Sequence, residues 1–157
     1  MPSETFSQLV GNIFKSFGAI EYRTNRLIQL LTKDDEILPK EEILKQSFER
    51  RIKILSRLLK RTQVPADEID SLVENLKDLA KKRNVIAHNP VATNAQGNSF
   101  IIHIREASDP EGKVFYGEED LLDLLGRARQ AAKTITELMM KKLPSLMPKV
   151  STNKSKT

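Results

Sequence analysis

At 157 residues, with no cysteine and only two histidines (His88 and His103), the chain is one domain's worth of sequence. Disulfides, thiolate metal sites and a His-rich metal centre are excluded, and no H-E-x-x-H spacing, Gly-rich phosphate loop or G-x-S-x-G elbow occurs, so no metal or other cofactor is expected. The net charge of +5 says little about nucleic acid, because residues 141–157 carry five lysines and no acid; taking these five from the 26 basic residues leaves 21, equal to the 21 acidic ones.

Met1-Pro2-Ser3-Glu4 lacks the features of a signal peptide, and no apolar run approaches the roughly 18 residues of a membrane span. A soluble, cytoplasmic protein with no membrane contact is expected. The first helix is predicted from Ser3 or Thr5 to Leu31, by apolar spacing at Phe6, Val10, Ile13, Phe17, Ile20, Ile28 and Leu31. Gly11 and Gly18 inside it suggest close packing against a neighbour.

After a polar break at Lys33-Asp34-Asp35, Pro39 opens a second predicted helix that buries Leu44, Phe48, Ile52, Leu55 and Leu59. Its opposite face reads Arg50, Lys53, Arg57, Lys60 and Arg61, either a solvated face or, with Lys82, a track for a phosphate backbone. A third helix starts near Pro65 and must end by Asn89-Pro90.

Ser99-Phe100-Ile101-Ile102-His103-Ile104 and Val114-Phe115-Tyr116 then read as a β-hairpin around turn chemistry at Ser108-Asp109-Pro110-Glu111-Gly112. His103 alternates with Ile102 and Ile104, which places it on the hairpin's polar face in a structural or solvent-facing role. A last helix is predicted from about Glu118 to Lys142, apolar at Leu122, Leu125, Ala132, Ile135 and Met139. The expected fold is mainly α: an antiparallel bundle of about four long helices with a hairpin inserted before the last. It occupies residues 1–143, and a flexible basic tail takes 144–157.

One stretch carries chemistry. On the third helix Leu72, Leu76, Leu79, Arg83 and Ile86 fall on a single stripe roughly 60–80° wide. Arg83 thus stands where the pattern calls for an apolar side chain. A snorkelling or ion-paired structural arginine is the ordinary reading. On the first helix Glu21 sits inside the stripe of Val10, Phe17 and Ile28, so the two misfits can satisfy one another, and an Arg83–Glu21 contact is predicted. Asn84 and His88 stand four apart on one face, where the amide can orient the imidazole. Arg83 and His88 lie about 140° apart around the axis, which is awkward within one protomer and natural across a two-fold dimer.

The string Arg83-Asn84-Val85-Ile86-Ala87-His88-Asn89-Pro90 resembles the signature of HEPN domains: Arg, a polar residue, three more residues, then His, near the end of a long helix in a helical bundle. The resemblance covers roughly residues 5–143, with about eight of them motif; the hairpin is an elaboration on the pattern. It implies a homodimer whose motif helices face each other across a cleft. Many HEPN proteins are endoribonucleases of toxin–antitoxin, phage-defence or CRISPR-linked systems; others are non-catalytic dimerisation or RNA-binding modules.

Two readings follow. In the first, RNA is cleaved without metal through its adjacent 2′-OH, leaving a 2′,3′-cyclic phosphate, with His88 as general acid or base. Arg83 then stabilises phosphate charge, Asn84 fixes the imidazole or donates to phosphate, and Glu21 and Asn89 support. The partners would be an RNA substrate and, for a toxin, an antitoxin protein; a nucleotidyltransferase-like antitoxin of the kind found beside HEPN toxins could modify Tyr22 or Tyr116. In the second reading Arg83 and Glu21 brace a non-catalytic dimeric scaffold.

Overall fold

The computed structural model describes residues 4–32, 40–106 and 109–140. Among them the elements run α1 Glu4–Leu31, α2 Lys40–Leu44, α3 Phe48–Leu59, α4 Ala66–His88, β1 Val91–Thr93, β2 Ser99–Glu106, β3 Asp109–Tyr116 and α5 Glu118–Met140. The protein is mainly helical, with a small antiparallel hairpin before the last helix. The polar break at 33–35, Pro39, Ser108 and the basic tail at 144–157 lie outside the described residues. No helix among those described is long and apolar enough to cross a membrane.

The longest contact runs between α1 and α5. Phe6, Leu9, Ile13, Phe17, Ile20, Leu27 and Ile28 form one buried stripe on α1, and Leu121, Leu124, Ala128, Ala131, Ile135 and Leu138 form another on α5. The α5 alanines leave room for the two helix backbones to approach. The stripe on α5 differs from the predicted one at its start: Leu122 is 55% exposed, and Leu121 with Leu124 takes its place. Both choices keep a helical period, and only the partner's position separates them.

Gly11 and Gly18 do not mark close packing. Both are exposed, and a Cβ at either would meet nothing within 4 Å. Gly18→Ala should therefore stabilise the fold by about 0.5–1 kcal/mol, through helix propensity alone. Urea titration checks it; a loss of stability would mean that another surface packs there.

The predicted second helix is two helices. The chain leaves α2 after Leu44, and Ser47 caps α3, with φ −59° and ψ 155° and its side-chain oxygen accepting from the Arg50 N–H at 3.3 Å. The break turns Leu44 outward to 49% exposure, while Ile43 is buried. Downstream, Phe48 is half-buried and Ile52, Leu55 and Leu59 are buried as expected.

α4 packs on α3, α1 and α5, burying Leu72, Leu76, Leu79 and Ile86. Arg127 of α5 ties it down, donating to Asp78 Oδ2 at 2.7 Å and Asn75 Oδ1 at 2.8 Å, while Lys82 reaches Asp78 at 3.0 Å. Burial alone would raise the pKa of Asp78. The hydrogen bonds and charges of Arg127 and Lys82 outweigh it and hold the carboxyl below its ordinary value of 3.8. A depressed carboxyl stabilises the fold above its unfolded pKa, and that contribution is lost as pH falls through the folded value. Asp78→Asn should then cost at most about 1 kcal/mol near neutrality, the side chain being 45% exposed. Unfolding curves for variant and wild type should converge in strong acid; a gap independent of pH would rule out the ionic origin.

The sheet has order β1-β2-β3 and is antiparallel throughout. Two points differ from the predicted hairpin. A third strand, β1, pairs Val91 with Ile101 and Thr93 with Ser99 through a turn that places Gly97 at φ +83°. On the other side, Asp109-Pro110-Glu111-Gly112 belong to β3, with Asp109 opposite Glu106. Among the described residues only Asp109 of the four has a pairing partner, and the register shifts between Ile104 and Glu106.

Candidate functional site

Three helices bring their least apolar core positions to one place. Arg83 of α4 donates from Nη2 to Glu21 Oε1 of α1 at 2.9 Å, the contact predicted from the two misfits. Its Nη1 donates to Asn84 Oδ1 at 3.0 Å, and the guanidinium lies 5.8 Å from the centre of the Phe17 ring. The Arg83 and Glu21 side chains are 32% and 28% exposed, so the pair is shielded without being sealed.

The third member, Arg51 of α3, was not singled out from the sequence. It is only 9% exposed. Its Nη1 donates to Asn25 Oδ1 at 2.7 Å, its Nη2 stands 3.7 Å from Glu21 Oε2, and it sits over the Phe48 ring at 5.4 Å. Its Nε is buried without a hydrogen-bond partner. The signal was available: Arg51 lies on the stripe of Phe48, Ile52, Leu55 and Leu58, the same anomaly that marked Arg83. The basic face read from the sequence takes in the neighbouring Arg50 and leaves Arg51 out, the two pointing about 100° apart.

Phe17, Glu21, Phe48, Arg51, Arg83 and Asn84 line an open cleft of about 440 Å³ between α1, α3 and α4. His88 is not part of its wall. It is the last residue of α4, exposed, with no side-chain hydrogen bond among the described residues. No Asn84–His88 hydrogen bond forms among the described residues; the Asn84 oxygen accepts from Arg83 instead. Asn89 works on the backbone instead. Its Nδ2 donates to the Val85 carbonyl at 2.8 Å, and its extended conformation (φ −120°, ψ 149°) ends the helix. The Pro90 carbonyl then accepts from Ile102 N–H at 3.2 Å, tying the end of α4 to the sheet.

Arg50, Lys53 and Arg57 are exposed on α3, Lys60 is exposed at its C-cap and Arg61 in the turn beyond. Arg50 donates to Gln46 at 3.1 Å, and Lys60 and Lys82 pair with Asp70 and Asp78 at 3.6 and 3.0 Å. His103 is half-buried on β2, opposite Val114. Tyr22 is 66% exposed, whereas Tyr116 packs against the core. No group of three or more His, Asp or Glu side chains among the described residues is placed to hold a metal ion.

Comparison with protein-family models, with curated proteins and with solved structures found no match.

Proposed function

We propose that the chain is a metal-independent endoribonuclease of HEPN type, built on an antiparallel helical bundle and active as a cytoplasmic homodimer. A role as a toxin held by an antitoxin, or as a phage-defence effector, fits that chemistry. The observation that carries the reading lies at the end of α4: Arg83 is held at an open cleft by Glu21 and Asn84, and an exposed His88 follows.

A guanidinium has five N–H donors, and Arg83 spends two on Glu21 and Asn84, leaving three for phosphate oxygens. His88 takes the proton of the 2′-OH, O2′ attacks phosphorus, and the bond to the 5′-oxygen breaks as that oxygen takes a proton from water. The products are a 2′,3′-cyclic phosphate and a free 5′-OH. Arg83 stabilises the charge gathered on the non-bridging oxygens. Within one chain the two side chains leave α4 in different directions, so the reading requires His88 of one protomer to meet the cleft of its partner.

The Arg83–Glu21 pair also favours a second reading, a non-catalytic dimeric module in which it serves as a brace. Incubation of a mixed RNA pool with purified protein in EDTA decides between them. Cleavage leaving 2′,3′-cyclic phosphate ends is expected. An absolute requirement for divalent metal, or intact RNA throughout, would remove the nuclease reading.

A further inference from the structure

We propose that Arg51 is a second phosphate-binding arginine of this cleft, so that the guanidinium groups of Arg51 and Arg83 receive one phosphate group between them. The inference rests on the nuclease reading for the identity of that phosphate as part of an RNA backbone, and on geometry for its place.

Arg51 is the most poorly satisfied polar group at the site. Its guanidinium makes a single hydrogen bond, to Asn25, although the residue is 9% exposed. The Nη2 to Glu21 Oε2 separation of 3.7 Å exceeds hydrogen-bond length, and Nε has no partner. Buried charges are ordinarily paired, and Arg51 keeps donor capacity for a further anionic partner.

The position of Glu21 shows where that partner would sit. One carboxylate faces two guanidiniums, Oε1 toward Arg83 and Oε2 toward Arg51. The carboxylate occupies the space between the arginines, so a phosphate would seat beside it, on the cleft-side donors that Glu21 leaves free. A phosphate group offers more acceptor oxygens at the geometry that a guanidinium fork prefers. Ser47 also lines the cleft at the positive end of α3; its oxygen accepts from Arg50 N–H, which leaves its own O–H to donate.

Glu49 is the opposing feature. It lines the same cleft from the first turn of α3 and is exposed. With Arg51, Arg83, Glu21 and Glu49 the wall is formally neutral, so recognition depends on directed donors rather than on net field. Removing Glu49 should accordingly tighten binding.

The test follows the arginine Nε–H signals of ¹⁵N-arginine-labelled protein by NMR, assigned through single Arg→Lys variants. Sodium phosphate is titrated against sodium chloride at matched ionic strength, then a 2′-O-methyl RNA oligonucleotide that cannot be cleaved. Arg51 and Arg83 are expected to move together and saturate, with Arg23 and Arg129 unmoved. Glu49→Gln should tighten phosphate binding about two- to fivefold, and Arg51→Lys should weaken it about three- to tenfold while the fold persists by circular dichroism. Movement of Arg83 alone, or of all arginines alike, would overturn the proposal.

Failure of the two readings is separable. RNA cleavage in EDTA with Arg51 unmoved by the oligonucleotide leaves the nuclease standing without this seat. Joint saturation by phosphate in a protein that never cleaves RNA keeps the seat and removes the nuclease. Joint saturation by phosphate but not by the oligonucleotide keeps the seat and assigns it to free phosphate.

Discussion

Arg83→Ala and His88→Ala should each lower the rate of RNA cleavage by about 10²–10⁴-fold, with helical content unchanged. The His88 side chain is exposed and makes no hydrogen bond among the described residues, so its loss removes chemistry and little else. Arg83 contributes packing on Phe17 and its bond to Glu21, but the carboxylate keeps Arg51 as a neighbour. Mixing the two inactive variants gives a sharper outcome. If each site takes Arg83 from one protomer and His88 from the other, a mixed dimer contains one intact site and one doubly deficient site. Random subunit exchange at equal concentrations should then restore about one quarter of wild-type activity. No recovery, under conditions where exchange is demonstrated, would place both residues of a site in one chain and contradict the directions in which they leave α4. Full activity in either single variant would remove that residue from the mechanism.

Glu21→Ala is the substitution expected to cost most in stability at this site, about 2–4 kcal/mol, somewhat below a fully sealed ion pair because the side chains remain partly solvated. It leaves two guanidiniums facing one another across an unfilled space. Glu21→Gln keeps one acceptor and should cost less. Adding Arg51→Met to Glu21→Ala removes the buried charge that the alanine left uncompensated, so the double variant should recover part of the loss. Urea midpoints at constant slope measure all three. A Glu21→Ala cost under about 0.5 kcal/mol would mean that the carboxylate does not hold the arginines together.

Reading the sequence worked where period and chemistry agreed. The ends of α4 and the start of α5 were legible because Pro65, Asn89-Pro90 and the acidic run Glu118-Glu119-Asp120 act locally. The Arg83–Glu21 contact was legible because each residue broke its own helix's apolar stripe. Arg51 broke one too and was passed over, since the basic face takes in Arg50 and leaves Arg51 out. The misreadings at Leu44 and Leu122 have a tertiary cause. Each neighbours a second apolar residue, Ile43 or Leu121, and only the packing partner decides which turns inward. Asn84 shows the limit of spacing: positions four apart permit a contact with His88, and the adjacent guanidinium took the oxygen.

The pairing of α1 with α5 has a consequence for how the protein is made. The local partners α3 and α4 follow one another closely in the chain and can meet as they emerge from the ribosome. The apolar stripe of α1 waits for a partner some 90 residues further on, from Leu31 to Leu121. At bacterial or eukaryotic elongation speeds that wait is roughly 5–20 s. The side of α1 that packs on α5 stays uncovered for all of it, while α3 and α4 can already pack on the helix. The cleft is free of that delay, since Glu21 meets Arg51 of α3 and Arg83 of α4, and no α5 residue lines it. A nascent chain stalled before Leu121 would therefore present a half-covered apolar stripe on α1, so chaperone capture of that helix is the hazard of its synthesis.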